Sequence, residues 1–163
     1  ADLQAAGLIS GTPVPFARNS LEIVVKPGDP LGIRSLAGLT RANVVGICVS
    51  TAPCGGSAAE ALQKAGVTLP TSKVSLGQNV DATLAEVTTG DADAAIVYVT
   101  NAKSVGSLGV AVPIPASQNV TTTYPIAAVR TTANPALARA WIAYVAGPVG
   151  QSVLGRAGFL PAR

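Results

Sequence analysis

Residues 94–99 read Ala94-Ala95-Ile96-Val97-Tyr98-Val99, an unbroken apolar and aromatic run. A strand with one wet face alternates polar and apolar side chains, so a continuous run of this length is the pattern of a strand covered on both faces, as in a parallel sheet. The strand is expected over 93–99, after the turn Gly90-Asp91-Ala92-Asp93. Working outward, further strands are expected at Leu21 to Val25, Val44 to Val49, Val110 to Ile114 and Tyr124 to Val129. Helical patterns separate them at Gly56 to Ala65, Val80 to Thr88 and Pro135 to Val145. In the last of these Asn134 can cap the start, Pro135 takes the first position and Gly147-Pro148 marks a stop. Leu137, Trp141, Tyr144 and Val145 then share a face expected to dock on a sheet. Strand and helix alternation of this kind defines an α/β fold class.

The 163 residues suit one ordinary domain or two small lobes. Apolar residues make up 48% and charged residues 12%, the reverse of a disordered chain. The net charge of +3 is scattered, so nothing resembles the clustered Lys and Arg that grip a phosphate backbone, and nucleic acid is excluded as the main partner. Histidine is absent, which removes Ser-His-Asp and Cys-His nucleophile systems and His-containing metal sites in one step. Methionine is absent too, so the sequence is expected to be a processed product or a fragment. No apolar run approaches the roughly 20 residues that span a bilayer.

Two segments, Phe16-Ala17-Arg18-Asn19 and Thr121-Thr122-Thr123-Tyr124-Pro125, read equally well as crossings between lobes or as ordinary loops. Thr51-Ala52-Pro53-Cys54-Gly55-Gly56-Ser57 follows an expected strand and opens an expected helix. Such a turn presents backbone N–H groups and the positive end of the helix dipole to an anion, although it also serves as a plain tight turn. It carries neither of the usual nucleotide-loop patterns. Cys48 and Cys54 are the only cysteines; they suit a disulfide in an oxidising compartment or a pair of buried thiols. Gly90-Asp91-Ala92-Asp93 offers too few oxygens for a calcium loop and reads as a helix-to-strand turn. Ser72-Lys73 and Lys103-Ser104 read as solvated surface rather than nucleophile dyads. Tyr124, taken alone, reads as a core tyrosine.

Taken in order, several segments resemble one family. They are Phe16 to Val25, Pro53-Cys54-Gly55 with Ala59 to Gly66, Gly90 to Tyr98, and Thr123-Tyr124-Pro125-Ile126-Ala127. The ending Gly147-Pro148-Val149-Gly150-Gln151 with Ala157-Gly158-Phe159 completes the set. The sequence resembles the molybdate-binding proteins of bacterial ABC importers, two-lobed periplasmic-binding-protein-like receptors. The resemblance implies a receptor without catalysis, extracytoplasmic at the periplasm or cell surface, where a cleaved signal or a lipid anchor is the family's habit. Its ligand would be molybdate or tungstate, and its partners the ABC permease subunits in the membrane. It implies no cofactor and no direct protein-to-metal ligand.

Carried over by position, the resemblance makes Cys54 and Val97 backbone N–H donors and Tyr124 a hydroxyl donor to the oxyanion. It also places the chain outside the cytoplasm, so a Cys48–Cys54 disulfide is expected. Two further hydroxyl-bearing loops of the family precede the stretch that matches residues 1–7. The expected organisation is therefore one complete α/β lobe at 20–122, with 1–19 and 123–163 as remnants of a lobe whose N-terminal part is absent. Such a fragment is expected to self-associate or to pair with the missing piece. Other anions, sulfate or phosphate, are the alternative ligands, and a Ser/Lys- or Cys-dependent hydrolase is the alternative class.

Overall fold

The computed structural model describes residues 2–162. A short turn of helix, α1 (Asp2–Ala5), leads into the long strand β1 (Ile9–Val25). Then follow β2 (Val45–Cys48), α2 (Pro53–Lys64), β3 (Val74–Gly77), α3 (Val80–Thr89) and β4 (Ala94–Tyr98). The remainder is α4 (Val99–Ser104), β5 (Val110–Pro113), β6 (Thr121–Val129), α5 (Pro135–Ala146) and α6 (Pro148–Arg156). The chain folds as two compact units, Ser20–Thr121 and Ala1–Asn19 with Thr122–Arg163.

The larger unit holds a sheet of order β3-β2-β4-β1-β5. β3, β2 and β4 run parallel, and β1 is antiparallel to both β4 and β5. All five residues of β4 are buried. Ala94, Ile96 and Tyr98 pack with Leu36, Leu39, Ala58 and Ala61 on one face, while Ala95 and Val97 pack with Val87, Ala102 and Val105 on the other. Period-two alternation with apolar cover on both sides is why this run carries no polar position. β3 was not among the expected strands, because Val74-Ser75-Leu76-Gly77 is short and only Gly77 in it is buried.

Asp93 ties three strands together where the sheet begins. Its carboxylate accepts from Lys26 Nζ at 2.8 Å and from the backbone N–H groups of Asn43 (2.8 Å) and Val44 (3.3 Å). Burial alone would raise the Asp93 carboxyl; the Lys26 and backbone hydrogen bonds, with the Lys26 charge, outweigh it and hold the group below its ordinary range.

In the smaller unit the first half of β1 pairs with β6, and Arg130 N–H donates to Leu8 O at 2.9 Å just past the ribbon's end. β1 is thus much longer than the expected 21–25, since Pro13 and Pro15 mask strand character in its first half. β6 likewise starts three residues before Tyr124. Arg18 bridges to Leu160, and Gln151 Nε2 donates to Phe16 O (2.7 Å) and Val145 O (3.1 Å), which pins α6 to the ribbon.

Two expectations for α5, its cap and its docking face, are corrected. Asn134 occupies the N-cap position, but its side chain makes no cap bond. Gly147-Pro148 does end α5, as expected: Gly147 is its C-cap, and Pro148 then opens a further helix, α6, at once. The face bearing Leu137, Trp141 and Tyr144 points outward, with exposures of 69%, 58% and 52%. α5 has two apolar arcs, and the one turned inward carries Ala138, Ile142, Val145 and Ala146. Periodicity finds such arcs without ranking them.

Candidate functional site

Parallel strands that share an edge deliver helix N-termini to the same side, and ligands of open α/β sheets bind beyond the carboxyl ends of the strands. Here β2, β3 and β4 each run into a helix, opening at Pro53, Val80 and Val99 respectively. The carboxyl edge of the larger unit is therefore the place to look for a site.

Of the three helix starts, α2 and α4 open without a side-chain cap or a first-turn acid, and α3 has both. α3 is capped, because Asn79 Oδ1 accepts from Ala82 N–H at 2.9 Å. Its first turn also carries Asp81, whose carboxylate accepts from Asn101 Nδ2 of α4 at 2.8 Å. α2 has neither feature: no side chain caps it, and no acid lies in its first turn. Pro53 supplies the first helical position and has no N–H to satisfy. The Cys54 N–H follows it, at a position where helix geometry provides no intrahelical acceptor. An anion is the natural partner for this turn, through the orphan N–H and the helix dipole together.

Cys48 at the end of β2 and Cys54 form a disulfide, with Cα atoms 5.7 Å apart and both residues buried. The bond ties the first turn of α2 directly to the strand below it. Gly55 is required by the same closeness: a Cβ there would collide with Val49 O and stand 2.7 Å from Cys48 O. Its N–H donates to Ala52 O at 2.9 Å.

Val97 lies in β4, fully buried, with its side chain in the inner apolar cluster and Glu22 of β1 opposite it. The β2–β4 register pairs Val45 with Ala94 and Gly46 with Ala95, and continuing it sets Cys48 across from Val97. Cys54, at the start of the helix that follows β2, and Val97, near the end of the adjacent parallel strand β4, thus belong to the same edge of the larger unit. Tyr124 belongs to β6 in the smaller unit. Its ring is half-buried between Phe16 (centroids 6.5 Å apart) and Phe159 (5.9 Å, edge to face).

Other polar candidates serve the fold. Asp91 accepts from Thr89 Oγ1 at 2.6 Å and Asp93 holds the strands, so Gly90 to Asp93 is a helix-to-strand turn. Among the described residues no cluster of His, Cys, Asp or Glu could hold a metal ion. Lys73 Nζ donates to Thr40 O and Ala42 O, both at 2.9 Å, and Ser104 Oγ donates to Asn101 O. Neither arrangement activates a nucleophile. A cavity of about 460 Å³ in the smaller unit is lined by Ser10, Val14, Val129, Arg139 and Ile142 among others, and by none of the three carried-over residues.

Sequence reasoning missed Asn119. Its side-chain amide imitates a strand beside Leu21, accepting from Leu21 N–H at 2.9 Å and donating to Leu21 O at 2.8 Å. It missed Asp29 too, which accepts from Ile33 N–H (2.8 Å) and pairs with Arg34 (2.7 Å). An isolated Asn or Asp in a loop gives no sequence signal of such a bond.

The chain is a two-unit α/β protein with an uncapped helix start at the carboxyl edge of its larger unit. Residues 1–160 match the family described as bacterial extracellular solute-binding protein, and the chain belongs to that family. Its members are solute-binding proteins, not enzymes. The chain is 40% identical over 156 residues to the molybdate-binding protein ModA of Mycobacterium tuberculosis, and equally to that of Mycobacterium bovis. Those alignments cover 94% of this chain and 59% of each relative, so the chain spans under two thirds of their length. A substrate-binding domain of a putative molybdenum ABC transporter from Clostridium difficile superposes with TM-score 0.79 at 19% identity, covering 97% of this chain and 70% of that one. The periplasmic molybdate-binding protein of Azotobacter vinelandii gives 0.77 at 20%, over 98% and 72%. The sulfate-binding protein SubI of Mycobacterium tuberculosis gives 0.78 at 21%, over 98% and 64%. At these identities the structures establish the shared fold.

Proposed function

We propose that the chain is part of an extracytoplasmic receptor that captures molybdate, or tungstate, for an ABC importer and hands it to the permease subunits in the membrane. The observation that carries this reading is the uncapped, acid-free first turn of α2, held by the Cys48–Cys54 disulfide, in a chain 40% identical to ModA proteins. Cys54 and Val97 offer backbone N–H groups and Tyr124 its hydroxyl. Fixed neutral dipoles suffice for a doubly negative anion without a formal positive charge beside it. A carboxylate near the donors would repel a fully ionised anion and accept from a protonated one. The first turn of α2 holds none, whereas Glu22 of β1 stands opposite Val97, so carboxylate placement by itself does not separate molybdate, tungstate or sulfate from phosphate.

In this reading residues 20–122 form one whole lobe. Residues 1–19 and 123–163 belong to the other lobe, which the relatives' further length completes. Ligand would favour a closed arrangement of lobes that the permease recognises. The outward face of α5 would draw the chain into self-association or onto that complementary piece. No helix among the described residues is long and apolar enough to cross a membrane. A lipid anchor is one way to hold such a receptor at the cell surface.

Calorimetric titration with molybdate, tungstate, sulfate and phosphate tests the proposal. In the full-length protein heat from the first two is expected, and this chain by itself, without the two further hydroxyl loops, is expected to bind well below it. Sulfate binding more tightly than molybdate would move the chain to the other branch of the fold, and silence of the full-length protein with all four would remove the anion site.

A further inference from the structure

The start of α2 is fastened from α3 as well as from β2. Thr83 is fully buried, and its Oγ1 lies 2.9 Å from Asn79 O and 3.4 Å from Cys48 Sγ. Its hydroxyl hydrogen serves the carbonyl, and the sulfur contact sets the hydroxyl against the disulfide itself. α3 comes this close because β3 ends in Gly77, where a Cβ would collide with Thr83 Oγ1 and stand 2.8 Å from Thr83 N. On the other side, the collision at Gly55 with the Val49 and Cys48 carbonyls allows only glycine at the third position of α2, in its first turn.

We infer that Thr83 and Gly55 are positioning residues for the Cys54 N–H: they hold the Cys48–Cys54 disulfide, which joins β2 to α2, against α3, and through it the donor's place at the carboxyl edge. Neither touches ligand. The inference rests on the anion-binding reading for its functional consequence, but the fastening is a property of the larger unit alone. A flexible turn would let the donor move, and a donor misplaced against a charged acceptor loses strength steeply with angle and distance.

The test compares wild type, T83S, T83V and G55A in the full-length protein, with wild type also measured after reduction. Amide hydrogen exchange at Gly55 and Gly56, whose N–H groups bond Ala52 O, reports the turn; urea unfolding reports global stability; molybdate titration reports the donor. T83V and reduction are expected to speed exchange at these amides beyond any change in global stability. They should also weaken molybdate about tenfold, the cost of roughly one hydrogen bond. T83S retains the hydroxyl and is expected to restore both. G55A is expected to exceed T83V in each readout, and the chemically milder T83 pair keeps the test decisive where G55A folds poorly. Unchanged exchange in T83V and in reduced protein overturns the inference, as does faster exchange with unaltered affinity. If wild type binds no oxyanion, the receptor reading fails, and the exchange data still decide the fastening.

Discussion

At the scale of single residues, donors and buried carboxylates make separable predictions. If the Tyr124 hydroxyl donates to the anion, Tyr124→Phe in the full-length protein should weaken molybdate binding by about 1–3 kcal/mol in calorimetry. The ring would still pack between Phe16 and Phe159. Asp93 and Glu22 respond to pH in opposite senses. The Asp93 carboxyl is held low in the folded protein, so its contribution is complete above the ordinary carboxylate range and is lost as pH falls through the depressed folded value. Asp93→Asn should therefore destabilise at pH 7, and the gap from wild type should close in urea titrations taken at increasingly acidic pH. Burial raises the Glu22 carboxyl, so its ionised form costs stability above that raised value, and the cost disappears as pH falls below the unfolded one. Glu22→Gln is expected to be neutral or stabilising at pH 7; a clear loss there would mean that the carboxylate has an essential partner.

At the scale of elements, the disulfide and α5 matter most. Alkylation and mass spectrometry of non-reduced protein should find no free thiol, since Cys48 and Cys54 are bonded. The loop they close is short, so the direct entropic gain is modest and the value of the bond lies in where it holds α2. α5 exposes Trp141, stacked on Tyr144 with ring centroids 5.6 Å apart. Trp141 is the only tryptophan, which makes its fluorescence a clean report. Red-shifted emission with ready acrylamide quenching is expected of dilute monomer, and a blue shift as concentration rises would mark burial of this face by another chain. Leu137→Ser with Trp141→Ser should lower any self-association seen in light scattering. These elements also show how legible the fold was. β4 and the boundaries of α3 could be read from pattern, because burial on both faces and the Asn79 cap with Gly90 at the C-terminus leave local marks. β3 and the first half of β1 could not, because a short exposed edge strand and a Pro-containing ribbon owe their form to the partner they pair with.

At the scale of the whole chain, the ordered series of short segments was enough to indicate an α/β solute-binding protein, and the family match over residues 1–160 agrees. Sequence alone determined the layered α/β class, the exclusion of histidine chemistry and the glycine-rich turn at Cys54, since each depends on residue type or on spacing along one segment. The Cys48–Cys54 disulfide expected from the resemblance is present, and only the tertiary structure decided that Thr83 and Gly77 back it and that Asp93 and Asn119 serve as staples. It also decided which of two apolar arcs of α5 faces inward. The physical reason is range. Helix caps and strand burial are written into neighbouring residues, whereas a staple or a buried contact needs two segments distant in sequence to meet, and nothing in either segment alone records the other.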